Sequence, residues 1–166
     1  MTNGFDTAPA GIGTKVAAGA AGLVVLVAIL AAGARAGVAS LFGGGDSAPT
    51  DAATAQIPPA ILTLYEEAAA TCPGLPWTVL AGIGTIESGN GTSDLPGVHS
   101  GANSACAEGP MQFESTTFAE YDEPVPPGGA SPASPYDPAD TVYAAARDLC
   151  ANGAGNGANL SAAVFA

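Results

Sequence analysis

Glu87 is the residue whose type and position are best suited to chemistry. It ends an apolar run and shares a helical stripe with Leu80 and Ile83, at i, i+3 and i+7 spacing. A carboxylate that faces a core is costly to ionise, and the negative end of a helix dipole disfavours the anion further. Both effects predict a raised pKa, which would let Glu87 donate a proton near neutral pH. The alternative is a glutamate at a helix end that points into water.

Cys106 and His99 are a second candidate pair, because a thiol beside an imidazole can act as a nucleophile. No helix N-terminus follows Cys106 to activate the thiol, so a cysteine peptidase is the weaker interpretation. One His and three Cys are too few for a multi-ligand His/Cys metal site. We therefore expect no metal and no other cofactor.

The helices that position these residues are predicted from the spacing of apolar residues and from the prolines and glycines that mark helix starts and ends. Five helices are predicted. Their bounds are Pro58-Pro59 to about Cys72, Pro76 to Glu87, Pro110 to about Tyr121, and Asp137-Pro138 to Asn152-Gly153, with a fifth helix that begins at Asn159 or Ser161. Loops are expected at 88–108 and 122–135. No alternating strand pattern is visible, so the prediction is a small all-α domain.

Charge and composition exclude several classes of protein. The 166-residue chain has 3 Lys+Arg against 15 Asp+Glu, a net charge of -12. A nucleic-acid binder would carry a basic patch, so we expect no nucleic-acid partner. With 48% hydrophobic and 11% charged residues, the chain as a whole is not expected to be disordered. We expect a monomer.

An uncharged apolar stretch near the N-terminus predicts contact with a membrane. Residues 16–34 carry no charge, and a helix of that length would span about 28 Å. The stretch is either an uncleaved single-pass anchor, with the following domain outside the cell, or a cleaved signal peptide of a secreted protein. The leader 1–15 is long and contains Asp6, which favours the anchor. Residues 35–56 read as a flexible linker, and the domain occupies 57–166.

Two of the three cysteines lie where a disulfide would tie helix ends together. Cys72 closes the first predicted helix, and Cys150 lies on the core side of the fourth. A bridge between them would stabilise a small exported domain by about 2–4 kcal/mol. Cys106 is then the odd cysteine. The alternative is that all three cysteines are reduced.

Several motifs between Ile57 and Ala166 resemble one enzyme family. They are Ile86-Glu87-Ser88-Gly89, Ser100-Gly101-Ala102, and Glu108-Gly109-Pro110-Met111-Gln112-Phe113. This set is similar to the lytic transglycosylases with a goose-type-lysozyme-like fold. Three flanking segments look closest to its actinobacterial members: Cys72 to Trp77, Tyr136 to Asp140, and Leu149 to Ala154.

The resemblance implies a peptidoglycan-cleaving lyase with a small lysozyme-like helical domain. Such an enzyme cuts the β-1,4 bond between N-acetylmuramic acid (MurNAc) and N-acetylglucosamine (GlcNAc) and leaves a 1,6-anhydro end. Glu87 would be the general acid and then the base. The residues that the resemblance places at the substrate are Ser88, Gly109, Met111, Gln112, Phe113 and Tyr136. Ser88 would hold the Glu87 carboxyl or cap a turn, and Met111 and Phe113 also suit a core.

Alternative roles remain open for several residues. Most glycosidases use two carboxylates, and Asp94 or Glu108 could supply the second, although both lie in polar loops where solvation is expected. With a second acid, the enzyme would be a lysozyme-type hydrolase of the same bond. Aromatic side chains could stack on sugars or pack in the core: Tyr65, Trp77, Tyr121 and Tyr136.

One feature departs from the family. Its members carry Tyr-Asn after an Ala in the last helix, and this sequence stops at Ala166, one residue before the expected Tyr. The resemblance therefore implies a domain that is incomplete at its C-terminus. A third interpretation follows, in which the chain is an inactive, membrane-tethered module that binds the cell wall.

Overall fold

Proline and acidic caps set the helix boundaries in residues 49–155, the part of the chain that this computed structural model describes. The elements in chain order are α1 (Asp51–Thr54), α2 (Pro59–Ala70), α3 (Trp77–Ser88), β1 (Ala107–Glu108), β2 (Phe113–Glu114), α4 (Ser115–Tyr121), α5 (Pro138–Leu149) and a π-helical turn (Cys150–Ala154). Pro59 and Pro138 occupy first helical positions, where the missing N–H costs nothing. The Asp137 carboxylate caps α5 by accepting from the N–H groups of Ala139 and Asp140.

Helix α2 packs against both α3 and α5, and α5 also packs against α4. The core between these helices includes the fully buried side chains of Tyr65, Leu80, Phe113, Val142 and Leu149. Each large apolar side chain taken out of water contributes about 1.5–3 kcal/mol. The mostly helical architecture agrees with the all-α prediction in this coarse form.

The predicted disulfide is confirmed. Cys72, just after α2, is bonded to Cys150, just after α5, across a sequence separation of 78 residues. Since a long closed loop restricts the unfolded chain, the bridge is expected to stabilise the α2–α5 pair by about 2–4 kcal/mol. Cys106 is free and exposed, as expected for the odd cysteine.

Three of the predicted helices are confirmed within a few residues, and the predicted start of another is wrong. The helix that ends at Tyr121 begins at Ser115 and not at Pro110. Pro110 lies instead in the turn of a small antiparallel hairpin, in which Ala107 pairs with Glu114. Gly109 and Gln112 in this turn have φ values of 76° and 51°, which a right-handed helix cannot accommodate. Each strand has two residues, too few for a visible alternation.

The predicted loop 122–135 is confirmed and is held to α5 by two charged residues. Asp140 is buried, and its Oδ2 accepts from the N–H of Ala130 at 3.1 Å and of Ser134 at 2.8 Å. Arg147, the one Lys or Arg in residues 49–155, donates to the carbonyl of Tyr121, just before the loop, at 2.7 Å and to the carbonyl of Pro124, within the loop, at 2.5 Å. Both side chains therefore bind backbone groups and hold the loop against α5.

Three predictions concern the linker and the two ends of the chain. Helix α1 falls within 35–56, the predicted linker, and its four residues bury no side chain. The predicted membrane segment 16–34 and the predicted last helix from Asn159 or Ser161 lie outside the described residues. Within residues 49–155, no helix is both long and apolar enough to cross a membrane.

Candidate active site at the C-terminal end of α3

The Glu87 carboxyl lies in the last turn of α3, partly buried against the domain. Its Oε1 atom is inaccessible to solvent and has no hydrogen-bond partner among the described residues. Loss of solvation raises the pKa of Glu87 from 4.5 to about 7. This carboxyl is therefore present in both protonation states near neutral pH.

The chain reverses direction immediately after Glu87. Gly89, Asn90 and Gly91 all have positive φ values, of 59°, 61° and 78°. The Asn90 N–H donates to the carbonyl of Gly84 at 2.7 Å and so closes the helix end. Glu87 thus lies at the edge of a tight turn whose backbone is held to α3.

Ser88 supports this turn and does not contact the Glu87 carboxyl through a hydrogen bond. Its side chain is buried, its Oγ accepts from the Gly91 N–H at 2.7 Å, and its hydroxyl donates to the Gly84 carbonyl at 3.3 Å. Of the two roles open from the sequence, the geometry supports capping of the turn.

The hairpin turn that contains Gly109 and Gln112 is fixed by specific contacts. The Gly109 N–H donates to the Gly97 carbonyl at 2.7 Å, and any Cβ at Gly109 would overlap the Pro135 carbonyl. Gln112 Nε2 donates to the Gly109 carbonyl at 2.7 Å, and its Oε1 accepts from Asn103 Nδ2 at 2.8 Å. Gln112 therefore joins the hairpin to the loop that precedes it.

Met111 and Phe113 attach the hairpin to the helices. Met111 is buried, and its Sδ lies 3.4 Å from the position that a Cβ on Gly84 would occupy. Met111 therefore packs on α3 one turn before Glu87. Phe113 is fully buried and meets Phe118 edge to face, with ring centroids 6.0 Å apart. Met111 is thus brought to the Glu87 helix, whereas Phe113 belongs to the core.

Tyr136 joins the loop after α3 to the hairpin. Its hydroxyl donates to the Gly101 carbonyl at 2.9 Å. Desolvation, and then the charge of Glu108, raise the pKa of the Tyr136 hydroxyl. The Glu108 carboxylate also accepts from the Ser115 hydroxyl at 3.3 Å. Tyr136 and Glu108 thus form a second polar cluster, held by partners other than Glu87.

Asn90 is a site residue that sequence reasoning missed, and Tyr65 proves to belong to its network. Tyr65 is 1% exposed, so it packs in the core and cannot stack on a sugar. Its hydroxyl donates to Asn90 Oδ1 at 3.0 Å, and burial raises the pKa of this hydroxyl. The Gly-Asn-Gly sequence after an apolar helix was the available signal, since Asn tolerates the left-handed conformation.

The candidate cysteine–histidine pair lies in the solvent-exposed loop after α3. His99 and Cys106 are both exposed. Among residues 49–155, no three His, Cys, Asp or Glu side chains come together in a way that could hold a metal ion.

Comparison of the chain with protein-family models, with curated proteins and with solved structures finds no match. The functional interpretation therefore depends on the motifs of this sequence and on the geometry around Glu87.

Proposed function

We propose that the protein is a peptidoglycan lytic transglycosylase that cleaves the β-1,4 bond between MurNAc and GlcNAc, with Glu87 as its general acid and base. The observation that carries this proposal is the partly buried Glu87 carboxyl, which has an unpartnered Oε1 and a pKa near 7. An acid of this strength can both give and take a proton near neutral pH. The motif resemblance supplies the substrate class.

The two proton transfers use the two states of one carboxyl group. Protonated Glu87 donates to the glycosidic oxygen, so that the bond from the MurNAc anomeric carbon to that oxygen breaks and GlcNAc leaves as an alcohol. The resulting Glu87 carboxylate then takes the proton of the MurNAc 6-hydroxyl, whose oxygen bonds to the anomeric carbon. The product has a 1,6-anhydro end, Glu87 is protonated again, and no water is consumed.

A single catalytic acid is consistent with the surroundings of the other carboxylates. Asp94 is exposed, and the Glu108 carboxylate accepts from the Ser115 hydroxyl at 3.3 Å. Neither shares the desolvated environment of Glu87. Assistance by the substrate N-acetyl group is a recognised exception to the two-carboxylate rule, and it would stabilise the anomeric carbon without a second acid.

The hairpin supports the proposal as a second wall beside α3. Met111 packs on α3 through Gly84, and the close contact of Gly109 with Pro135 holds the turn in place. Because Gly109 has no side chain, the Pro135 carbonyl can pack directly on its backbone. We propose that the glycan strand lies across the surface formed by the hairpin turn and the C-terminal end of α3.

The proposed location is outside the cytoplasmic membrane, either tethered by residues 16–34 or secreted after their removal. The Cys72–Cys150 disulfide supports export, since such bridges persist in oxidising compartments. The proposed partner is the glycan strand of peptidoglycan, with the membrane as a second partner if the anchor is retained.

Mass spectrometry of muropeptides tests the proposal. The full 166-residue chain in mild detergent is incubated with purified peptidoglycan, and released fragments one water lighter, with 1,6-anhydro ends, are expected. Fragments with reducing ends would instead indicate a hydrolase. Absence of release, with retained sedimentation on peptidoglycan, would favour the inactive wall-binding module.

Substitution of Glu87 tests its role. Glu87→Gln is nearly isosteric and is expected to lower cleavage by about 10²–10⁴-fold, the usual contribution of general acid–base catalysis. Glu66→Gln, an exposed position on α2, is the matched control and should cleave at the wild-type rate. A comparable loss in Glu108→Gln would indicate two acids and would contradict the single-acid mechanism.

A further inference from the structure

The Tyr65 hydroxyl lies against the segments on both sides of Glu87. It donates a 3.0 Å hydrogen bond to Asn90 Oδ1, three residues after Glu87. It also lies so close to Gly84, three residues before Glu87, that a Cβ there would overlap the hydroxyl oxygen. One atom of α2 therefore contacts both ends of the seven-residue segment that carries the acid.

Asn90 connects this contact back to α3. Its N–H donates to the Gly84 carbonyl at 2.7 Å, and its Oδ1 also accepts from the Thr85 hydroxyl at 3.3 Å. Asn90 is buried and holds a left-handed φ of 61°. Asn tolerates this conformation better than most other non-glycine residues. The contacts of Asn90 with Gly84, Thr85 and Tyr65 hold it in place.

The chemistry of the pair indicates a role beyond packing. A phenylalanine would bury the same ring without a polar group, whereas a buried hydroxyl or amide is costly unless it is hydrogen-bonded. A directional bond fixes the turn after α3 more tightly than apolar contact does. Catalysis is sensitive to this, since a displacement of about 1 Å can cost about 10²-fold in rate.

We infer that Tyr65 and Asn90 are positioning residues, which hold the turn after α3 so that the Glu87 carboxyl stays at the edge of the domain in its reactive orientation. Neither residue touches the substrate; both act through the backbone of residues 84–90. The inference deepens the proposed function and rests on it for the catalytic consequence. Its structural part, control of the Glu87 environment by the Tyr65–Asn90 bond, stands independently.

Tyr65→Phe and Asn90→Gly test the pair from its two sides. Tyr65→Phe removes the donor and keeps the ring. Asn90→Gly removes the acceptor and leaves a residue that adopts positive φ without strain. Each variant is expected to lower kcat by about 10–100-fold with little change in KM. The double variant should lose no more than the worse single variant, because both changes break one bond.

A titration of Glu87 gives a readout that does not depend on cleavage. In the full-length protein with ¹³C-labelled glutamate, the Glu87 carboxyl signal is assigned by its loss in Glu87→Gln. Loosening of the turn should admit water, and the Glu87 titration midpoint should fall in Tyr65→Phe and in Asn90→Gly. Tyr143→Phe, which alters a partly buried tyrosine on α5, is the matched control and should change neither kcat nor the midpoint.

The outcomes separate the two proposals. If wild-type protein cleaves no glycan but both variants shift the Glu87 midpoint, the proposed function fails and the positioning role stands. If both variants fold with the wild-type kcat and midpoint, or lose only thermal stability, the positioning role is overturned. If Tyr65→Phe does not fold, Asn90→Gly decides by the same two readouts.

Discussion

Glu87 at the end of α3 and Asp148 near the end of α5 are both carboxyl groups removed from water, and desolvation raises the pKa of each. Their partners differ. Asn152 Nδ2 donates to Asp148 Oδ1 at 2.7 Å, and hydrogen bonds from Asn152 and Tyr121 lower the Asp148 pKa again. For Glu87, desolvation raises the pKa and no hydrogen bond from the described residues lowers it again.

The two acids are therefore removed from water in different surroundings. Hydrogen-bond donors stabilise the Asp148 carboxylate, which indicates a structural role for this residue. Asp148 lies at the end of the domain where the Cys72–Cys150 disulfide joins α2 to α5. Without donors, the Glu87 carboxyl keeps both protonation states accessible, as a catalytic acid requires. Its end of the domain is held by hydrogen bonds and by a left-handed turn. The following predictions test whether the two ends are independent in this way.

The largest expected effect concerns the covalent link beside Asp148. Replacement of both Cys72 and Cys150 by serine should lower the free energy of unfolding by about 2–4 kcal/mol, because the unfolded chain gains freedom. Urea denaturation followed by circular dichroism measures this loss. Cys106→Ser, at an exposed free thiol, should leave stability unchanged. The Glu87 titration midpoint of the folded double variant should also be unchanged, and a shift would show that the two ends are coupled.

A smaller effect is expected from two glycines of α3 that differ only in their surroundings. A Cβ on Gly84 would overlap the Tyr65 hydroxyl, whereas a Cβ on Gly82 meets nothing within 4 Å. Gly84→Ala should therefore destabilise the protein by about 1–3 kcal/mol. Gly82→Ala should stabilise it by about 0.5–1 kcal/mol through helix propensity. Thermal unfolding of the two variants compares them directly, and equal effects would mean that the Tyr65 contact is not tight.

A further effect is expected on the pH dependence of stability. The folded pKa of Glu87, about 7, exceeds the ordinary value of 4.5, so folding takes up a proton between these values. The resulting stabilisation is complete below about pH 4.5 and is lost as the pH rises through about 7. Relative to wild type, Glu87→Gln should become more stable by about 1–2 kcal/mol from pH 4 to pH 8, after allowance for solvent around a partly exposed group.

Urea denaturation across this pH range measures the difference. Burial raises the Asp148 pKa as well, so its contribution has the same sign, and its hydrogen bonds should make it smaller. If Glu87→Gln keeps the wild-type pH dependence while Asp148→Asn removes it, the assignment of the two acids is reversed.

Local sequence signals determined much of the fold. Proline at first helical positions marks the starts of α2 and α5, because proline fixes φ and lacks an N–H that these positions do not need. The helical period of 3.6 residues places Glu87 on the stripe of Leu80 and Ile83, Cys72 at the end of one helix and Cys150 on the core side of another. These features depend on residues a few positions apart, so they can be read along the chain.

The hairpin and the surroundings of Glu87 depend on contacts between segments that are distant in the sequence. The hairpin strands have two residues each, which is too short for a periodic signal in the sequence. In the hairpin turn, Gln112 has a positive φ and a hydrogen bond to Asn103. The Tyr65–Asn90 bond joins residues 25 positions apart. Local propensity carries no information about such a pair, because it forms only where packing of α2 on α3 brings the two side chains together.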